Sequence, residues 1–396
     1  MRCSPTMRSI LALCALVGAS VLAGTSVLSA DASPPRRESG GGSGFLGHCA
    51  VVGGDTAKMR CYVRALLAHI EASGDPAREL PRIDRKARAA GGFLAANCHL
   101  LMHSVGQKFA RRHRLTLATL QRYVPKSNNP GCSAGFGMGL VIYLGPQIAD
   151  FGARGAARAC SGLPTRFRRY SCIHGLGHAY MRVFHGRLRN AVRACHALGL
   201  RHSPDCAQGA YHDHWTSLHG GDGAKRLRGA ETSPRALCAR QVRVFVRPCW
   251  YRVFLERPPR YRVETAAAIR RLCRGLRGLQ RSGCISAAAL LPSSGAIPRT
   301  RMCGRLRGSD IVDCLRAVPV QALAGHHPKP QLGLIRTCAT LPRGAHAGCY
   351  RWFGKTLAVV TNGAFGKTGC QKLDGAGREL CLAGARQMHG PLVTFA

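Results

Sequence analysis

Acidic residues are scarce in this chain. Asp and Glu number 18 against 58 Lys and Arg, a formal net charge of +40. So few carboxylates leave little from which to nominate the paired acids of glycoside hydrolysis. Lysine is scarce as well, with nine residues, so arginine carries the excess. Aromatics make up 6% of the chain. No zinc-finger, RNP or helix-turn-helix pattern occurs, which argues against specific nucleic-acid recognition. Strand signals are almost missing: valine and isoleucine do not alternate with polar residues over any useful length. There is no HExxH, no CxxC and no CxxCH, so zincin, thioredoxin-like and c-type haem readings lose their usual support. Past Leu28 no apolar stretch reaches membrane-spanning length.

What is present begins with the charge. An arginine-rich exterior attracts polyanions, here an acidic protein, anionic lipid or an acidic envelope polymer. The plain alternative is arginine on solvated helix faces. Codon bias explains Arg in place of Lys but not the shortage of acids.

The first 32 residues read as an export signal. Arg2 and Arg8 form a basic start, Ile10 to Leu28 is apolar and uncharged, and Ala30-Asp31-Ala32 fits a small-x-small cleavage site. The apolar run is also near the lower limit for a spanning helix, so an uncleaved N-terminal membrane anchor is the alternative. Residues 33–47 are rich in Pro, Gly and Ser and read as a flexible linker. Residues 48–396 form the expected helical-repeat domain, with a His-rich half (48–220) and Arg-rich repeats (221–396).

Cysteines show the organisation. Setting aside Cys3 and Cys14 in the signal leaves 18, an even number, as expected for disulfides in an oxidising compartment such as the cell envelope or the outside. Cys195/Cys206, Cys238/Cys249, Cys273/Cys284, Cys303/Cys314, Cys338/Cys349 and Cys370/Cys381 share a separation of 11; Cys49/Cys61 and Cys160/Cys172 have 12; Cys98/Cys132 has 34. From Cys160 on, first cysteines recur every 30 to 43 residues. That period is the helix-turn-helix repeat of the tetratricopeptide and Sel1-like size class. The predicted fold is therefore all-α: an array of αα-hairpins, each stapled from the last turn of its first helix to the first turn of its second. Gly135, Gly175 and Gly209 each follow a second cysteine by three residues, where a missing side chain lets a neighbouring helix come close.

Histidines are unevenly spread. Of 17, 11 fall between His99 and His219. CHLLMH gives His99 and His103, and CIHGLGH gives His174 and His178. Each is an i,i+4 pair projecting from one helix face, the way a helix offers two imidazoles to one metal. Met181 and His185 continue the second stripe. His212 and His214 lie two apart and diverge on a helix, so they join the same site only near a helix end or turn; Met181, His185, His212 and His214 are the possible further ligands. If the two pairs meet, four neutral imidazoles suit Zn²⁺, Cu²⁺ or Ni²⁺, and Met181 tilts the choice towards copper. Asp213 is the one carboxylate in the cluster. The alternative is a buried structural histidine cluster bonded to carbonyls.

CHLLMH followed by CIHGLGHAYM, over residues 95–215, resembles a group of exported bacterial Cys/His-rich α-helical repeat proteins. Their pattern is a Cys-His-x-x-x-His helix followed by Cys-x-His-Gly segments. The resemblance implies export and cysteine-paired hairpins, and it implies no activity. At Gly131-Cys132-Ser133-Ala134-Gly135 this chain departs from the pattern, lacking the histidine after the cysteine. GCSAG also matches G-x-S-x-G, but no strand precedes it and Cys132 is expected to be bridged. GFGMG (Gly135 to Gly139) lacks a βαβ setting.

The expected function is a binding or scaffold protein with a basic surface and a histidine metal site for one Zn or Cu ion. A metal-dependent enzyme centred on His99, His103, His174 and His178 is the rival. A purely structural envelope protein is the third reading.

Overall fold

In a computed structural model of the protein, the described residues are 46–126, 131–217, 233–256, 263–291, 296–318 and 335–389. The expected export signal, residues 33–45 of the linker, and His219, His326 and His327 lie outside them. Among the described residues there are twenty α-helices, three short 3-10 turns and no strand.

The N-terminal part runs through α1 (Gly47–Ala50), α2 (Asp55–Ser73), α3 (Pro76–Ala90), α4 (Gly92–Arg112), α5 (Leu120–Tyr123), α6 (Cys132–Tyr143) and α7 (Gly145–Asp150). The regular pairs follow. They are α8 (Gly152–Ser161) with α9 (Arg166–Val183), α10 (Leu188–His196) with α11 (Ser203–Ser217), and α12 (Pro234–Ala239) with α13 (Arg243–Glu256). Next come α14 (Ala266–Leu272) with α15 (Gly278–Ala288), and α16 (Ala296–Gly304) with α17 (Ser309–Leu315). The last long helices are α18 (Arg343–Val360) and α20 (Gly375–Arg386), with the short α19 (Ala364–Thr368) between them.

Local chemistry sets several helix starts. Asp75, Thr165, Ser233 and Thr265 each accept from the backbone N–H three residues on. Such caps contribute about 1 kcal/mol each. Asp75 and Ser233 are followed by Pro76 and Pro234, whose fixed φ suits the first helical position. Gly131, ahead of α6, has no side chain to cap with. Asp84 of α3 takes over, accepting from the Ser133 N–H at 3.3 Å and from the Ser133 hydroxyl.

All nine cysteine pairs are joined, Cys98–Cys132 and Cys303–Cys314 included, with Cα–Cα distances of 5.0 to 5.8 Å. The hairpins are less symmetric than expected. The first members are short: α12 has 6 residues, α14 has 7, and Cys338 and Cys370 sit in 3-10 turns. The second cysteine also lies deeper than the expected first turn in most units. Cys132 and Cys206 keep to the first turn of α6 and α11. Cys61, Cys172, Cys249, Cys284, Cys349 and Cys381 are instead each the seventh residue of their helix. Cys314 contradicts the expectation too: it is bridged to Cys303, but from the last turn of α17 and not the first. The common reason is reach. A short first helix and a tight turn leave the sulfur level with the second turn of the next helix. For Cys314 the helix itself is also short, with 7 residues after the turn at Gly308 (φ +54°), so its second turn is its last.

The second helices stack in a row. α4 packs on α6, α6 on α9, α9 on α11, α11 on α13, α13 on α15, α15 on α17, α17 on α18, and α18 on α20. The row bends back far enough that α18 also touches α9. One continuous apolar core runs from Cys49 to Cys381. No helix among the described residues is long and apolar enough to cross a membrane.

Candidate metal centre

α9 presents His174 and His178 one turn apart, and α11 presents His212 from within the helix, not from a helix end or turn as expected, because the two helices cross closely. Their approach depends on glycine. A Cβ on Gly209 would stand 1.9 Å from the His174 carbonyl oxygen, and one on Gly177 would stand 2.0 Å from that of Cys206. Backbone therefore meets backbone where α9 crosses α11. The same device sets α4 against α6. A Cβ on Gly135 would lie 2.2 Å from the His99 oxygen, and one on Gly139 would lie 2.4 Å from the His103 oxygen. Gly209→Ala should therefore cost several kcal/mol, since the obstacle is backbone and one helix must move. Gly344, at the start of α18, has open space around it. Gly344→Ala should be neutral or stabilise by up to about 1 kcal/mol. Urea melts of the two variants check this pair.

One ligand nitrogen from each of His174, His178 and His212 lies within 4.8 Å of the others, and the group could hold a metal ion. Ring centroids are 5.1 Å apart for His174–His178, 4.9 Å for His178–His212 and 5.9 Å for His174–His212. Nitrogens sharing a tetrahedral zinc stand about 3.3 Å apart, so a modest contraction closes the set. All three rings are buried. His178 Nδ1–H donates to Asp213 Oδ1 at 3.3 Å. His178 Nε2 is buried with no hydrogen-bond partner among the described residues, and so is His174 Nδ1. A carboxylate on one ring nitrogen fixes the tautomer and leaves the other as a lone pair, the usual support of a metal-bound imidazole.

The other expected ligands are placed as follows. His103 is buried, with its ring 5.0 Å from that of His178 and 6.2 Å from that of His212. His99 Nε2 and His103 Nε2 are 3.1 Å apart, and His99 Nδ1–H donates to the Gly131 carbonyl at 3.2 Å. The two His-x3-His helices thus do bring imidazoles together, although α6 packs against both. His99 and His103 adjoin the triad without being members of it. Met181 is buried in the apolar core. His185 is exposed past the end of α9 with φ +51°, so the helical stripe stops before it. His214 is buried edge-on to Trp215, with centroids 5.0 Å apart, on a different face from His212.

Arg252 of α13 belongs to the site and carries no sequence signal. Its Nη2 approaches His174 Nε2 at 3.5 Å. Burial pushes His103, His174 and His212 well below the ordinary histidine range. Arg252 is the largest electrostatic contributor for His174 and His212, and His99 is for His103. The rings are therefore neutral, as ligation requires.

Two other groupings carry less. His48, Cys49 and Cys61 lie close together, but both sulfurs are in one disulfide and neither is a thiolate. Ser133 of GCSAG is fully buried, opens a helix and bonds Asp84, so the nucleophile-elbow setting is missing.

Fold and site together define a disulfide-rich, all-α repeat protein with a buried histidine cluster. Beyond that class the chain matches no family model, no curated protein and no solved structure.

Proposed function

We propose that this chain is an exported binding protein whose buried triad His174, His178 and His212 holds one transition-metal ion, Zn²⁺ or Cu²⁺. The observation that carries this is the convergence of three buried imidazoles, one of them oriented by Asp213. Three nitrogen donors suit these borderline ions. Rings only 1 to 6% exposed favour an ion held in place over substrate turnover. Arg252 opposes a bare dication, so the reading includes an anionic fourth ligand beside that guanidinium. Nine disulfides point to an oxidising compartment, which supports export. The arginine excess supports an acidic partner or envelope polymer on the outer surface.

Metal content tests the reading. Protein produced in an oxidising compartment should carry one equivalent of zinc or copper, and His174→Ala/His178→Ala should carry none. A native-like circular dichroism spectrum for the double variant keeps misfolding apart from loss of the ion. An absence of stoichiometric metal in the wild type, even after incubation with zinc or copper salts, would sink it.

A further inference from the structure

A second interior cluster shares no residue with the histidine triad, and among the described residues its charges do not balance. Four cationic side chains contribute. Arg166 opens α9, Arg247 lies on α13, Arg316 follows α17, and Lys355 lies on α18, the helix that returns to α9. Two carboxylates accompany them, Asp205 of α11 and Asp313 of α17.

The pairing accounts for both acids. Arg166 Nη2 meets Asp205 Oδ2 at 3.0 Å, with both side chains buried. Arg316 Nη1 meets Asp313 Oδ1 at 3.1 Å, and the Ser282 hydroxyl donates to the same oxygen at 2.6 Å. Arg247 Nε donates to that Ser282 hydroxyl at 3.1 Å. Lys355 Nζ stands 5.1 Å from the centre of the Trp352 ring, and the Arg316 guanidinium stands 5.5 Å from it. Among the described residues, neither Lys355 nor Arg247 has a carboxylate at ion-pair distance. Arg316 Nε is buried with no hydrogen-bond partner there.

The groups share one electrostatic neighbourhood. Burial lowers Lys355; Asp205 opposes this, and Arg166 and Arg316 reinforce it. Burial and then Arg316 push Arg247 down to about 10, with Asp313 opposing. Arginines that merely coat a solvated face show neither burial nor this crowding. Among the described residues, four cations against two carboxylates leave an excess of two positive charges in a part-buried space. Uncompensated buried charge is unfavourable unless something pairs it.

We propose that this interior binds a tetrahedral oxyanion: phosphate or sulfate, free or as the terminal group of a larger solute. Arg247, Arg316 and Lys355 are the ligands, and Arg166, held by Asp205, adds to the field beside them. Guanidinium forks match the edges of an oxyanion, and a lysine supplies a point charge. The repeat explains the location. Lys355 lies six residues after Cys349, as His178 does after Cys172 and His212 after Cys206. The same inward position carries imidazole in two units and ammonium in another. None of these ligands belongs to the histidine triad, so the site stands whether or not the triad binds metal.

Titration calorimetry and melting curves on the full exported chain test it, with inorganic phosphate, sulfate and glycerol phosphate against chloride at fixed ionic strength. The expected result is a saturable rise in melting temperature with the oxyanions and not with chloride. Lys355→Met and Arg316→Gln should each weaken phosphate binding at least tenfold. Lys355→Met breaks no ion pair, so its melting temperature without oxyanion should be equal or higher, since a repelling cation has gone; Arg316→Gln also gives up its pair with Asp313 and is read by binding alone. The surface variant Arg85→Gln should bind as wild type does. Glycerol phosphate binding more tightly than phosphate would assign a phosphorylated solute, and equal affinities would assign the free ion. Chloride matching phosphate, or both interior variants binding like wild type, would overturn the proposal. Arg247→Gln serves if either variant fails to fold.

Discussion

Reduction of the nine disulfides is expected to unfold this protein outright. Eight of the bridges close loops of about 12 residues, worth roughly 3 kcal/mol each in the chain-entropy account, and the Cys98–Cys132 loop is longer and worth slightly more. Nine such terms sum to about 25 kcal/mol, beyond the roughly 5–15 kcal/mol by which a typical domain is stable. Additivity overstates the sum, but even half of it would exhaust the total. The helices cannot compensate. α12, α14 and α17 have 6, 7 and 7 residues, well short of the roughly 12–15 at which an isolated helix becomes even marginal in water. Each depends on its bridge for a fixed place in the core. Thermal melts by far-UV circular dichroism, with and without a strong reductant, check this. Most of the helical signal at 25 °C should disappear on reduction. An unchanged melting temperature in fully reduced protein would show that core packing alone holds the array.

The strength of those bridges is also why the fold was legible in the sequence. Six cysteine pairs with one separation announce a repeated local structure, and a disulfide within a hairpin needs only its own unit to form. The lengths of the first helices were not legible, because a run such as ETAAAIRRLC is compatible with a longer helix than α14 turns out to be. Nor was the depth of the second cysteine: the spacing of Cys303 and Cys314 fixes their bridge but not where α17 begins between them. The site was partly legible for the same reason of locality. His174 and His178 share one helix face, so spacing shows them as a pair. His212 joins through the Gly177–Gly209 crossing of two helices. Gly209 stood out in the sequence by its spacing from Cys206, but Gly177 did not, and which helix Gly209 would admit was not legible. Arg252 and Lys355 left no mark at all, because each acts across the interior on a residue many positions away. His185 failed for a local reason: α9 ends at Val183, and helical stepping carries no further.

Metal-free protein should lose stability steeply as the pH falls below about 6.5. His103, His174 and His212 are all held well below the ordinary histidine range, with burial as the first cause. The charges facing them come from every side. Arg252 of α13 bears on all three, Arg182 of α9 on His103, and neighbouring imidazoles of α4 and α9 on each of them. In the unfolded chain the three rings take up protons near pH 6.5. In the folded protein they resist. Below that pH the unfolded state binds more protons, and stability falls with it until the folded rings themselves titrate. Each ring contributes about 1 kcal/mol between pH 6.5 and 5.5, where the unfolded ring goes from half to almost fully protonated, so three give roughly 3 kcal/mol. Asp84, buried and raised, acts in the opposite sense, but it is one group against three. Urea midpoints between pH 7.5 and 5, after chelation, measure the effect. His103→Gln should flatten the slope by about a third and leave the stability at pH 7.5 lower or equal. A midpoint independent of pH across that range would mean that the imidazoles are already solvated, and the histidine cluster would no longer count as a buried ligand set.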